Sequence, residues 1–205
     1  MQQELSMKPA SNLSEADPWR HIQIATNQHR AEHCCWAYPH SDGRLLSVLV
    51  AAIAAKRVLE LGTALGYTAL SLAHGARDVH VDSLERDPEH VALARANVAK
   101  AGLADRIVVH EGEFAALLPT MTPAYDLAFF DGYAPALSDL REILRLLRPG
   151  GVLLSANQQH SGQETDGYRA HLRDKRWWLS APLGEDSDMT LSVRHAFDSN
   201  LHWTK

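Results

Sequence analysis

Between residues 57 and 156 the chain alternates short apolar runs with helix-patterned segments, and this alternation constrains the fold more than any other feature. RVLEL (57–61), DVHVDSL (78–84), RIVVH (106–110), YDLAFFD (125–131) and VLLSA (152–156) read as strands. Between them lie helices at Gly66 to His74, Pro88 to Ala101 (stopped by Gly102), Glu113 to Leu118 and Ala136 to Leu147, with a Pro149-Gly150-Gly151 turn before the last strand. Near-continuous apolar strands separated by helices predict a parallel sheet covered on both faces. The expected architecture is α/β: a doubly wound, mostly parallel, seven-stranded sheet of Rossmann-like type.

The flanks complete this frame. Residues 1–16 are polar and read as a flexible leader, and 17–205 as a single domain with a helical cap over 17–55. Asp17-Pro18 reads as an N-cap followed by Pro at the first helical position, opening a helix to about Cys35. Tyr38 to Asp42 reads as a loop, and Gly43 to Ala55, apolar on nearly every side, as a largely buried helix. Gly167 to Arg173 is expected to be helical. Trp177–Ala181 and Met189–His195 should form a closing antiparallel pair around the turn-rich LGEDSD.

Composition excludes several classes. The chain has 205 residues, enough for one sizeable core, and a net charge of −5, without the basic footprint of a nucleic-acid binder. No apolar run approaches a membrane span of about 20 residues. Cys34 and Cys35 are adjacent and build no disulfide framework, so a cytoplasmic location is expected.

The chemistry concentrates at the strand ends. Glu60-Leu61-Gly62-Thr63-Ala64-Leu65-Gly66 follows a strand and opens a helix. Its G-x-x-x-G spacing misses the dinucleotide fingerprint G-x-G-x-x-G, and it lacks the Lys-Ser/Thr of a phosphate loop. An acid at its start suits a ligand with a cationic end better than a pyrophosphate. Glu85 ends the next strand, where a carboxylate can accept from ribose hydroxyls. Asp131 ends YDLAFFD. Ligands of open α/β sheets sit at the carboxyl ends of strands, so these three acids should converge on one crevice.

With those residues in hand, the sequence resembles the class I S-adenosylmethionine-dependent methyltransferases. It is most similar to the small O-methyltransferases that include catechol and caffeoyl-CoA O-methyltransferases and bacterial relatives. The markers, in order from about Tyr38 to His195, are the GRLL helix, RVLELGTALGYTALSLA, LERDPEHVALARANVAKAGLADRI, YDLAFFDG, LLRPGGVLLSAN and TLSVRH.

The resemblance implies an S-adenosyl-L-methionine cofactor and methyl transfer to a small hydroxylated acceptor. It implies that Glu60, Gly62 and Thr63 line the methionine part, that Thr68 holds its carboxylate, and that Glu85 holds the ribose with Arg86 beside the adenine. Glu113 and Phe114 would border the adenine, Tyr38 would approach from the N-terminal side, and Asp131 would lie near the sulfonium. It also implies a possible homodimer.

The pattern departs from the family at the metal. Asp131 and Asn157 match two positions of the two-Asp, one-Asn set, but the second Asp position is Ala156, and the Lys three residues after the first Asp is Ala134. A tightly bound Mg²⁺ is therefore not expected. A general base is then needed, and His160, just beyond the fifth strand, is the first choice and His40 the second.

Other features have plainer readings. His29 and His33 lie four apart beside Cys34 and Cys35, a spacing that can bind a transition metal. No Glu stands in an H-E-x-x-H arrangement and no second distant pair is evident, so a solvated or lid-forming helix is expected. His33 to Trp36 would then face the acceptor pocket, as the family's cap does. Trp177-Trp178 reads as packing, and Arg141, Arg145 and Arg148 as a solvated face. Three competing functions stand beside O-methylation: a noncatalytic cofactor-binding paralogue, a nicotinamide oxidoreductase, and base N-methylation. The last is disfavoured because Asp131 is followed by Gly-Tyr-Ala rather than Pro-Pro-Tyr/Phe.

Overall fold

A computed structural model describes residues 17–184 and 188–196. The expected leader over 1–16 and part of the LGEDSD turn lie outside the described residues.

The elements run α1 (Arg20–His33), α2 (Arg44–Ala52), β1 (Arg57–Leu61), α3 (Tyr67–His74), β2 (His80–Glu85), α4 (Pro88–Lys100) and β3 (Ile107–Glu111). They continue with α5 (Phe114–Leu117), a 3-10 turn (Leu118–Thr120), β4 (Tyr125–Phe130), α6 (Leu137–Leu146), β5 (Leu147–Ser155), α7 (Gln163–Leu172), β6 (Trp178–Pro182) and β7 (Thr190–Arg194). The seven strands are ordered β3-β2-β1-β4-β5-β7-β6. Pairings from β3 through β5 are parallel, and β7 is antiparallel to both β5 and β6. The order reverses beside β1, the topological switch point at which doubly wound sheets open a crevice.

The two-residue period of the strands divides the core between two faces. Val58, Leu127, Phe129, Val152 and Leu154 pack with α1 to α4, whereas Leu59, Leu61, Ala128, Phe130 and Leu153 pack with α6 and α7. Trp178 is fully buried in the second layer, and its indole N–H donates to His171 Nδ1 at 3.2 Å. The packing role expected for it is the observed one.

Several local expectations change. Helix α1 begins at Arg20 rather than Pro18. Asp17 instead accepts from the Trp19 N–H at 2.9 Å and from the Tyr67 hydroxyl at 2.5 Å. Helix α2 is not largely buried: Leu46 and Val50 face inward, while Leu45 and Val48 are exposed. Apolar residues surround it, but α3 covers only one side. The Pro149-Gly150-Gly151 segment falls within β5, whose pairing with β4 shifts register between Tyr125 and Leu127. Helix α7 starts at Gln163, four residues before the expected Gly167. Arg145 and Arg148 are not simply solvated. Arg145 donates to Leu118 O at 2.9 Å, and Arg148 to Asp126 at 2.6 Å, tying α6 and β5 to their neighbours.

The cap is latched over the switch point. Gln23 on α1 donates to the carbonyls of His40 and Ser41 at 2.6 and 2.9 Å. The Tyr67 hydroxyl links Asp17 to the Gly43 N–H, which donates to it at 2.8 Å. These bonds join the cap to α3 and bring the loop at 38–42 to the carboxyl ends of β1 and β4.

Candidate active site

The crevice is a cavity of about 670 Å³ at the carboxyl ends of β1, β2 and β4. Its floor is the β1–α3 loop. Gly62 (φ +101°) and Gly66 (φ +91°) adopt the left-handed conformations that the turn requires. At Gly62 a Cβ would lie 2.7 Å from the Asp131 carbonyl oxygen, so glycine is needed for close approach of the two strand ends as well as for the turn.

Glu85 fastens this loop from the side. One carboxylate oxygen accepts from the Ala64 N–H at 2.9 Å, and the other from the N–H groups of Arg86 and Asp87 at 2.9 and 3.0 Å. A carboxylate offers about four lone-pair sites, so acceptor capacity remains towards the cavity. Arg86 lies 3.7 Å from Glu113, which is the N-cap of α5, and Phe114 packs against Phe130.

Tyr38, Gly62, Thr63, Thr68, Glu85, Arg86, Glu113, Phe114 and Asp131 all line the cavity. Glu60 does not line it. Its side chain points to the face covered by α3 and is fully buried beneath the floor. Ser83 donates to Glu60 Oε2 and is paired with the Thr63 hydroxyl at 2.5 Å, so a hydroxyl chain runs from Glu60 to the cavity wall. Glu60 Oε1 is buried without a hydrogen-bond partner. Burial pushes the Glu60 carboxyl up to about 7, with the Ser83 and Thr68 hydroxyls opposing the rise and the Glu85 charge adding to it.

Asp131 directly follows the neighbouring strand β4. Burial, and then the charges of Glu60 and Asp188, push its carboxyl up to about 8. Asn157, in a left-handed conformation (φ 59°), also lines the cavity, and its amide donates to the Gly132 carbonyl at 2.6 Å. Asp188 is a further carboxylate whose charge reaches Asp131, but the three positions that the resemblance assigns to a metal supply, with Ala156 beside Asn157, only one carboxylate and one amide. That set does not fit a resident Mg²⁺ site made from two carboxylates and an amide.

Both candidate bases line the cavity. The His40 ring packs edge-on to Phe129 at 5.6 Å; burial lowers its pKa, against the opposing pull of Asp42. The His160 ring lies 4.9 Å from that of Tyr133, which meets Trp36 at 4.9 Å. Trp36, Tyr133 and His160 thus form an aromatic rim on the Asn157 side. The sequence reading did not single out Tyr133 or His90, both cavity-lining. Tyr133 could have been found as the residue two beyond Asp131. The position of His90 on the first turn of α4 gave no such signal.

Comparison with known proteins accords with this architecture. Residues 59–157 match the family model of a methyltransferase domain. A catechol O-methyltransferase of Mycobacterium tuberculosis is 37% identical over 59% of this chain and 56% of its own length. One from Niastella koreensis is 30% identical over 62% of this chain and 60% of its own. The matched stretch thus spans less than two thirds of these curated relatives. The crystal structure of an O-methyltransferase from Bacillus cereus in complex with SAH has a TM-score of 0.73 at 23% identity, over 85% of this chain and 90% of that one.

The fold is the Rossmann-like arrangement shared with solved O-methyltransferases, and its crevice lies at the strand ends where doubly wound sheets bind ligands. Residues 59–157 are similar to a methyltransferase domain, and the curated relatives that the chain resembles are named catechol O-methyltransferases.

Proposed function

We propose that the protein is an S-adenosylmethionine-dependent methyltransferase acting on the oxygen of a small hydroxylated molecule, without a tightly bound Mg²⁺. The observation that carries this reading is the convergence of Glu85, Asp131 and the Gly62 turn on one cavity. The residues fit the cofactor. The Gly62 cradle would be filled by any Cβ, and Glu85 retains acceptor capacity for ribose hydroxyls. Glu60, with its orphaned Oε1, and Asp131 are two buried carboxyls beside the cavity whose ionised forms a cationic ligand would favour.

The bound cofactor supplies an electrophilic methyl group. The protein's own part is to bind, orient and take up a proton. Thr63 and Thr68 would hold the methionine end, Glu85 and Arg86 the ribose and adenine, and Glu113 and Phe114 the far side of the ring. Tyr38 closes the cavity from the cap. The acceptor hydroxyl would lie against the rim of Trp36, Tyr133 and His160, where the His160 imidazole would take its proton; the methyl group supplied by the cofactor would leave sulfur for that oxygen, with S-adenosylhomocysteine as the leaving group. His40, whose lowered pKa keeps it neutral at pH 7, is the second candidate base. Asp131 stabilises positive charge at the transfer centre when ionised.

We further propose a homodimer, no nucleic-acid partner and a cytoplasmic location. Among the described residues no helix is long and apolar enough to cross a membrane.

The test is turnover. The protein, stripped of metal by a chelator, is incubated with S-adenosylmethionine and a panel of catechols and phenols, and S-adenosylhomocysteine is measured. Product formation in chelator supports the reading. Turnover that requires Mg²⁺ overturns its metal-free part, and cofactor binding without turnover across the panel favours a noncatalytic paralogue.

A further inference from the structure

Outside the strand-end acids, and among the described residues, the fold assembles two overlapping sets of metal-ligating side chains that share His29: one with Cys35 and His90, the other with His33 and Glu89. His29 on α1, Cys35 just beyond it and His90 on α4 each offer a ligand atom, all within 4.8 Å of one another. The sequence reading found no partner for the histidines of the first helix, because His90 lies 61 positions from His29 in sequence and only tertiary packing joins them.

Three observations indicate a site rather than a chance gathering. His29 is 9% exposed, and its Nε2 is buried without a hydrogen-bond partner. An unmet buried polar atom costs about 1–3 kcal/mol, a penalty that ligation would remove. Its ring is oriented by two others: His33 stacks on it at 4.3 Å, and His90 meets it edge-on at 5.3 Å. Finally, Cys34 ends α1 in the left-handed conformation (φ 52°) and is exposed, whereas Cys35 lines the cavity beside His90. The turn therefore carries one thiol outward and the other inward.

The donor chemistry selects the ion. Two imidazoles and a thiolate suit zinc-class ions and are poor ligands for Mg²⁺ or Ca²⁺. Tetrahedral zinc bonds of about 2.0–2.3 Å place ligand atoms roughly 3.5 Å apart, so side-chain rotations closing about an ångström complete the site. Three protein ligands leave a fourth position for water. Glu89, 4.0 Å from His33, adds negative charge at its edge.

We propose that His29, Cys35 and His90 bind one zinc-class divalent ion, pinning the end of the cap helix to α4 at the cavity rim. This site is separate from Asp131 and Asn157, and it does not depend on the methyltransferase reading.

Co²⁺ is the probe, because its near-ultraviolet thiolate band reports sulfur ligation directly. The full chain, reduced and stripped of metal, is titrated with Co²⁺ and then Zn²⁺. The expected result is one equivalent of Co²⁺ with a thiolate band, displaced by one equivalent of Zn²⁺. The band should persist in Cys34→Ser, vanish in Cys35→Ser, and need at least tenfold more Co²⁺ in His90→Gln, with circular dichroism showing that each variant folds. If Cys35→Ser does not fold, alkylation of the unsubstituted chain replaces it: Zn²⁺ should slow iodoacetamide modification of Cys35 at least tenfold and spare that of Cys34 little. Absence of a thiolate band, a band that survives Cys35→Ser in a folded protein, or alkylation of Cys35 indifferent to Zn²⁺ would overturn the proposal.

Discussion

Glu60 on β1 and Asp131, one residue past the end of the adjacent strand β4, are electrostatically linked: after burial itself, the Glu60 charge is the main cause of Asp131's rise to about 8. Two acids close together in a poorly hydrated place resist ionising together. In a site read as receiving a sulfonium, the arrangement is productive, because the incoming cation favours the ionised form.

A pH-dependent discrimination follows. S-adenosylmethionine carries the sulfonium charge and S-adenosylhomocysteine does not, while both carry the same ammonium. Ionisation of Asp131 through pH 8 should therefore raise the affinity for the first relative to the second. Calorimetry at pH 6.5 and 8.5 should show the ratio rising about five- to tenfold, bounded by tenfold per pH unit per proton. In Asp131→Asn the ratio should be flat with pH.

The same carboxyl costs stability. Its folded pKa is raised, so the native state holds its proton more tightly than the unfolded chain. The penalty is absent below about pH 3.9, the unfolded value, and grows as pH rises to about 8. Asp131→Asn should thus leave stability nearly unchanged at pH 4 and raise it by roughly 1–3 kcal/mol at pH 8.5, measured by urea unfolding.

His160 should separate chemistry from binding. His160→Ala is expected to lower kcat by about 10²–10³, in the range of a lost general base, with S-adenosylhomocysteine affinity within about twofold of the parent. If His40→Ala gives that loss and His160→Ala does not, the base is His40.

Gly62 should tolerate no side chain. With φ at +101° and a Cβ site 2.7 Å from the Asp131 carbonyl oxygen, Gly62→Ala must move backbone. A loss of about 2 kcal/mol or more in unfolding free energy is expected, with cofactor affinity falling at least tenfold.

The strands were legible in the sequence because five short apolar runs alternate with helix-patterned segments, a pattern that admits few arrangements. Glu60, Glu85 and Asp131 could be expected together because strand ends of a doubly wound sheet share one edge, and Glu85 and Asp131 do line one cavity. Glu60 was misjudged in one respect. Its position was evident, but the two-residue period that turns it beneath α3 decides whether it touches the cavity. The exposure of Leu45 and Val48 depends on which neighbours cover α2, and the His29, Cys35 and His90 cluster depends on where α4 meets the cap. Both are tertiary facts without a local signature.

The central claim is that the strand-end cavity binds the methyl-donor cofactor without help from Mg²⁺. Titration of S-adenosylhomocysteine into the purified protein by calorimetry, first in chelator and then with Mg²⁺, tests it most directly. The account predicts saturable one-to-one binding in chelator, unaltered by Mg²⁺ and weakened at least tenfold by Glu85→Ala. Absence of binding in both conditions would contradict the cofactor assignment, and binding only with Mg²⁺ would restore Asp131 and Asn157 as metal ligands.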